Sequence, residues 1–200
     1  MTPEELEKLF ELGPPIAIPH MFDSDVRATV LVNHDLVLQA IAKSEEDELS
    51  KLDFTDESQR SIEDFIQREH DEFRRAANNL ALVGLVTRFH HWLGRLSDAV
   101  EGRRSLNRKI KDMLTDLKNR FPNSQLAPNS YFKALEDVRD SIVHADSEPE
   151  WMNGKEVRKV NDEYVDEYKV NFSAEKLKDA FDKMLALVEY YDGCLKRPIG

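Results

Sequence analysis

The sequence predicts an all-α protein, a bundle of four to five helices with a small β-hairpin inserted before the last helix. Three observations predict it. Seven glycines and eight prolines are few for 200 residues. Many of them gather at a handful of breaks: Gly13-Pro14-Pro15, Pro19, Pro122, Pro128, Pro149 and Gly154. Between the breaks, apolar residues recur near the 3.6-residue period of a helix. The one departure is a short segment, about 155–172, that is richer in strand formers.

The elements follow in order. Residues 3–12 suit a short helix before the proline-rich turn. Residues 24–43 begin with Ser24 and Asp25, both good helix caps, and bring Val30, Leu31, Val37, Leu38 and Ile41 to one side. The same β-branched run also suits a strand. The acidic stretch SEEDELSKLDF then reads as a loop. The longest periodic segment, about 56–100, carries Ile62, Phe65, Ile66, Phe73, Leu80, Val83, Phe89, Trp92, Leu93 and Leu96. Gly84 inside it costs about 1 kcal/mol against alanine unless another helix packs closely there. Residues 103–121 predict a second helix, striped by Leu106, Ile110, Met113, Leu114, Leu117 and Phe121 and ended by Pro122. A third, about 129–144, starts at Asn129-Ser130. The hairpin is expected to turn at Asn161-Asp162, and Ser173 to cap a final helix reaching about residue 195.

Charge and cysteine narrow the function classes. The 39 acids and 28 bases give a net charge of −11, which excludes a protein that coats nucleic acid or anionic membrane through bulk charge. The excess is local. Residues 1–57 hold fourteen acids and four bases, whereas residues 58–200 come to −1, with a basic run RRSLNRKIK at 103–111. The division is therefore read as an acidic N-terminal extension (1–55) with one or two helices, followed by a helical domain (56–200). The acidic quarter is expected to act as a cover for whatever the domain binds. Cys194 is the only cysteine, so no internal disulfide and no thiolate zinc cluster can form. The acidic first residues resemble neither a secretory signal nor a transit peptide. With no apolar run of membrane-spanning length the expectation is no membrane partner, and from cysteine usage a cytoplasmic protein.

Chemistry concentrates on the third helix. At 100° per residue, Leu135, Val138 and Ile142 share an arc of about 60°, which Phe132 and Val143 extend to one side. Arg139 falls inside that stripe. An unpaired buried guanidinium is costly, so Arg139 must meet an acid, a phosphate or a second chain, or carry its charge out along a long stem. His144 stands at the helix end, about 140° from Arg139 on an ideal wheel. Asp140 and Ser141 lie four and three residues before it, the spacing that lets a side chain orient an imidazole. On residue type alone, a single His at a helix end caps more often than it catalyses.

EDVRDSIVHAD, ending a helix in an all-helical domain with a basic helix before it and a closing helix after, resembles the R-x4–6-H motif of the HEPN superfamily (higher eukaryotes and prokaryotes nucleotide-binding). The matching residues are Arg139 and His144, and the resemblance covers about residues 56–196. It implies a metal-independent endoribonuclease of a toxin–antitoxin or antiviral-defence setting. RNA would be the substrate, the chain would pair as a homodimer with facing motifs, and an antitoxin or other regulatory protein would be a partner. Arg139, His144 and Asp140 are then the catalytic candidates, and Arg103, Arg104, Arg108 and Lys109 of the basic run the substrate-binding ones. No cofactor and no metal ligand set is expected. The family often has Asn or another polar residue where Asp140 stands, and Asp140 in place of the common Asn adds a negative charge beside the phosphate site. The tyrosine that some members carry two positions after the His is Asp146 here. A non-catalytic helical module binding a partner protein or nucleotide is the other expectation, consistent with the overall acidity.

Other features read as structural. His90 and His91 are adjacent and lack the i,i+4 spacing of a metal pair. Glu69, His70, Asp71 and Glu72 point to different faces, and Cys194 reads as a packing residue. Trp151, in the loop after His144, suits packing against the domain or stacking on a base.

Overall fold

In the computed structural model the described residues are 18–52, 59–101, 108–122, 126–153, 156–166 and 169–196. They form an all-α architecture, as the periodicity predicts, with two small antiparallel hairpins before the last helix. Helix α1 (Ile18–Val26) passes through one π-helical turn (Arg27–Leu31) into α2 (Val32–Leu49). Val26 and Val32 keep helical dihedrals, so the three segments make one rod. Helix α3 (Arg60–Glu101) is a single run of 42 residues, α4 spans Ile110–Arg120 and α5 Asn129–His144. Strands β1 (Glu150–Asn153) and β2 (Glu156–Lys159) pair antiparallel, with Trp151 opposite Arg158. Two-residue strands β3 (Val165–Asp166) and β4 (Lys169–Val170) pair next, and α6 (Ala174–Lys196) closes the chain.

Several expectations are corrected. The first described helix starts at Ile18, with Pro19 in the first turn, where a missing N–H costs nothing. Asp25 is therefore inside a helix, where it accepts from Trp92 Nε1 at 3.2 Å on α3. The strand alternative for this region falls, and the acidic stretch is helical as far as Leu49. Lys109 is extended (φ −72°, ψ 149°), so the second predicted helix begins at Ile110. Pro128 stands at the N-cap of α5, so Asn129 and Ser130 are its first helical residues and not its cap. Asn161-Asp162 leads into a 3-10 turn between two hairpins. Residues 3–12 lie outside the described residues. The Ser173 cap is as expected, its Oγ accepting from the Lys176 N–H at 3.2 Å.

The core lies where the central part of α3 meets α1, α4, α5 and α6. Phe22, Leu82, Leu85, Phe89, Leu93, Phe132, Leu135 and Phe181 are all buried in one cluster. Phe89 stacks on Phe132 with centroids 5.3 Å apart, and Phe22 on Phe181 at 6.1 Å. Gly84 has the purpose that offsets its helix cost. A Cβ there would sit 3.2 Å from Val30 Cγ2, so glycine lets the π-helical turn approach α3 closely. The N-terminal half of α3 pairs with α2 through His34 Nε2 donating to Asn78 Oδ1 (2.7 Å) and an Arg74–Glu45 ion pair.

Candidate functional site

Helix α5 buries Phe132, Leu135, Asp137, Val138 and Ser141. That centre is rotated from the arc drawn on the sequence. Val143 is 52% exposed, and Arg139 falls at the edge of the buried face with 22% of its side chain accessible. Its acid is the next residue. Asp140 Oδ1 accepts from Arg139 Nη2 at 2.5 Å, while the Arg139 Nε–H is buried with no acceptor among the described residues.

The pair belongs to an alternating row of charge. Lys133 Nζ bonds Asp137 Oδ2 at 2.5 Å. Arg158 Nη1 reaches Asp137 Oδ1 at 3.4 Å and Asp140 Oδ2 at 3.5 Å. Lys133, Asp137, Arg158, Asp140 and Arg139 therefore come to one net positive charge. Strand β2 supplies Arg158, held half-buried opposite Trp151 in the hairpin register. Trp151 packs on the core's edge.

Glu136, one turn before Arg139 and Asp140, is half-buried. Its carboxyl is raised above the ordinary glutamate range by burial first and by the Asp140 charge second. Arg139, the Ile110 backbone N–H and His90 pull the other way. His90 Nε2 donates to the Arg108 carbonyl at 2.7 Å, fixing the extended entry to α4 beside this carboxylate.

His144 is exposed at the last position of α5. Asp140 and Ser141 do not orient it. Asp140 is taken by two arginines, and Ser141 Oγ donates to the Glu148 carbonyl at 2.6 Å. Among the described residues, no hydrogen bond or ion pair joins His144 to Arg139. Beyond His144 the chain reverses sharply. Asp146 and Ser147 both have positive φ (50° and 62°), a region costly for residues with a Cβ. The turn is held by Ser147 N–H to Ser141 O (3.2 Å), Val170 N–H to Ser147 O (2.8 Å), and Lys169 Nζ to Asp146 O (3.1 Å) and Glu148 Oε1 (2.7 Å).

Of the basic run, Arg103 and Arg104 lie outside the described residues. Arg108 forms an ion pair with Asp116 and donates to Ser97 Oγ at 2.9 Å, so its charge is already engaged. Lys109 is exposed. Glu136, Lys133, Asp137 and Arg158 escaped the sequence reading. The first three were visible as i,i+3 and i,i+4 neighbours on α5. Arg158 was not, because only hairpin pairing brings it there.

Among the described residues, no group of three His, Cys, Asp or Glu side chains converges as metal ligands, and no helix is long and apolar enough to cross a membrane. Comparison of the chain with protein-family models, with curated proteins and with solved structures finds no match.

Proposed function

We propose that the chain is a metal-independent endoribonuclease of HEPN type, acting in a toxin–antitoxin or antiviral-defence setting, with Arg139 and His144 as its catalytic pair. The reading starts from the R-x4-H resemblance. The observation that carries it is an arginine whose buried Nε–H has no acceptor among the described residues, on the same helix as an exposed His144. Cleavage to a 2′,3′-cyclic phosphate needs three things from such a site. A base removes the proton from the ribose 2′-OH, whose oxygen attacks phosphorus. The P–O5′ bond then breaks, and an acid returns a proton to the departing oxygen. Positive charge meets the phosphorane between these events. A neutral imidazole serves as base, an imidazolium as acid, and the guanidinium fork as charge. One His cannot hold both protonation states at once, so the reading includes a homodimer that supplies two. Lys109, and Arg103 and Arg104 with it, would contact the RNA backbone.

RNA cleavage by the purified protein in a chelating buffer tests the proposal. His144→Ala should lower the rate by about 10²–10⁴-fold, the usual worth of an acid–base group, with the melting temperature unchanged because His144 is exposed. Equal cleavage by His144→Ala, contaminants excluded, would sink it.

A second reading, a non-catalytic HEPN-like module binding a partner protein or nucleotide, is favoured by one observation. Asp140 already neutralises Arg139. Expression separates the two, since a ribonuclease should arrest growth and a binding module should not.

A further inference from the structure

Away from the candidate site, the two-helix arm formed by α2 and the N-terminal half of α3 carries an apolar face that no described residue covers. On an ideal wheel Ile62, Phe65, Glu69, Phe73, Ala76 and Leu80 fall within about 80°. All six are exposed, with Leu80 at 71%, Phe65 at 61% and Phe73 at 50%. Their 3-and-4 spacing is that of a helix seam, not of scattered surface residues. Beside the stripe runs a groove of about 400 Å³ lined by Val30, Val37, Ala77, Leu80, Ala81 and Gly84. Ala77, Ala81 and Gly84 are small, and Gly84 is where α3 comes closest to Val30, whereas Val37 and Leu80 are exposed. Small residues beside large exposed ones offer the kind of groove into which another helix lays its apolar side.

Charge decides what fills it. Residues 32–49 and 60–83, the arm itself, hold ten acids and five bases, a net of −5. Arg74 is already tied to Glu45 and Asp71, whereas Glu69 stands within the stripe and Glu72 flanks it. A second copy of this chain would set −5 against −5, a juxtaposition that opposes association. We propose that the arm is a docking site for a basic amphipathic helix of another protein. Leucine-type anchors would enter the groove between Val37 and Leu80, and Lys or Arg on the flanks would meet Glu69 and Glu72. The stripe from Ile62 to Leu80 is about 27 Å long, which matches some eighteen helical residues. The inference is independent of any ribonuclease activity, because it uses none of the residues around Arg139.

The test uses the full chain and two fluorescein-labelled eighteen-residue helical peptides. Both carry leucine at i, i+3, i+4 and i+7, with lysine at the remaining positions in one and glutamate in the other. Anisotropy at physiological salt should show saturable binding of the lysine peptide and none of the glutamate peptide. Phe73→Glu/Leu80→Glu, both exposed positions, should weaken binding by about tenfold or more, the range of interface hot spots. Glu69→Lys/Glu72→Lys should weaken it too while leaving the apolar face intact, and thermal melts confirm that both variants fold. Equal binding to the Phe73→Glu/Leu80→Glu protein, or no binding of either peptide, overturns the proposal. So does a wild-type dimer by light scattering that this double variant turns into monomer, since the face then belongs to a second copy.

Discussion

Asp140 takes the Arg139 guanidinium at 2.5 Å and shares Arg158 with Asp137, so one carboxylate sets the charge that Arg139 can offer a phosphate. Asp140→Asn keeps the shape and removes the anion. Losing this half-buried charged acceptor should cost about 1–3 kcal/mol in urea unfolding. On the ribonuclease reading the same change should raise RNA cleavage, and no cleavage by either protein favours the binding module. Glu136 makes a second prediction. Its carboxyl is raised in the folded state by burial and by Asp140, so the folded chain holds that proton to higher pH than the unfolded chain does. The stability this contributes is fully present below the unfolded glutamate range, near pH 4, and is lost as pH rises through the folded value. Glu136→Gln should therefore gain in melting temperature over wild type at pH 7 and show no such gain at pH 4. The anomaly of Arg139 was legible on a helical wheel, but its partner was not. Adjacent residues on a helix do not face each other, and only the length of the arginine stem brings its guanidinium back to Asp140.

The helices whose bounds were legible, α3, α5 and α6, are those with a long apolar stripe and clear stops. Where reading failed, no stripe was needed. Residues 44–49 are mostly good helix formers that extend α2 on propensity and on Arg74–Glu45 and His70–Glu48 contacts with α3. The late start of α4 has another cause. The Arg108 side chain reaches Asp116 and Ser97 while its carbonyl accepts from His90, and these bonds hold the chain extended where the sequence pattern is already helical. The two-hairpin segment was half legible, because alternation marks strands but not their partners. Helix α1 gives the element-scale prediction. Phe22 is fully buried between Phe89 and Phe181, so Phe22→Ala should destabilise the whole domain by about 3–5 kcal/mol. A single cooperative unfolding transition with a lowered midpoint is the expected result, and an unchanged midpoint would separate α1 from the core.

At the scale of the molecule, the acidic N-terminal quarter supplies part of the core. Phe22, Val26 and Val30 belong to the main core cluster, so removing residues 1–55 should abolish cooperative melting whatever it does to RNA access. Charge reversal tests the cover idea cleanly. Glu46→Lys/Asp47→Lys changes two exposed side chains, and on that idea RNA cleavage should rise at constant stability. The 42-residue α3 also governs how the protein travels through a solvent. At 1.5 Å per residue it is about 63 Å long, whereas a compact chain of 200 residues has a radius of gyration near 16 Å and a diameter of roughly 43 Å. The helix outreaches a sphere of equal mass, so frictional drag should exceed that of a round 23.2 kDa protein. A lone chain should elute ahead of its mass on gel filtration and imitate a larger particle, and the subunit count must be taken from scattered-light mass instead.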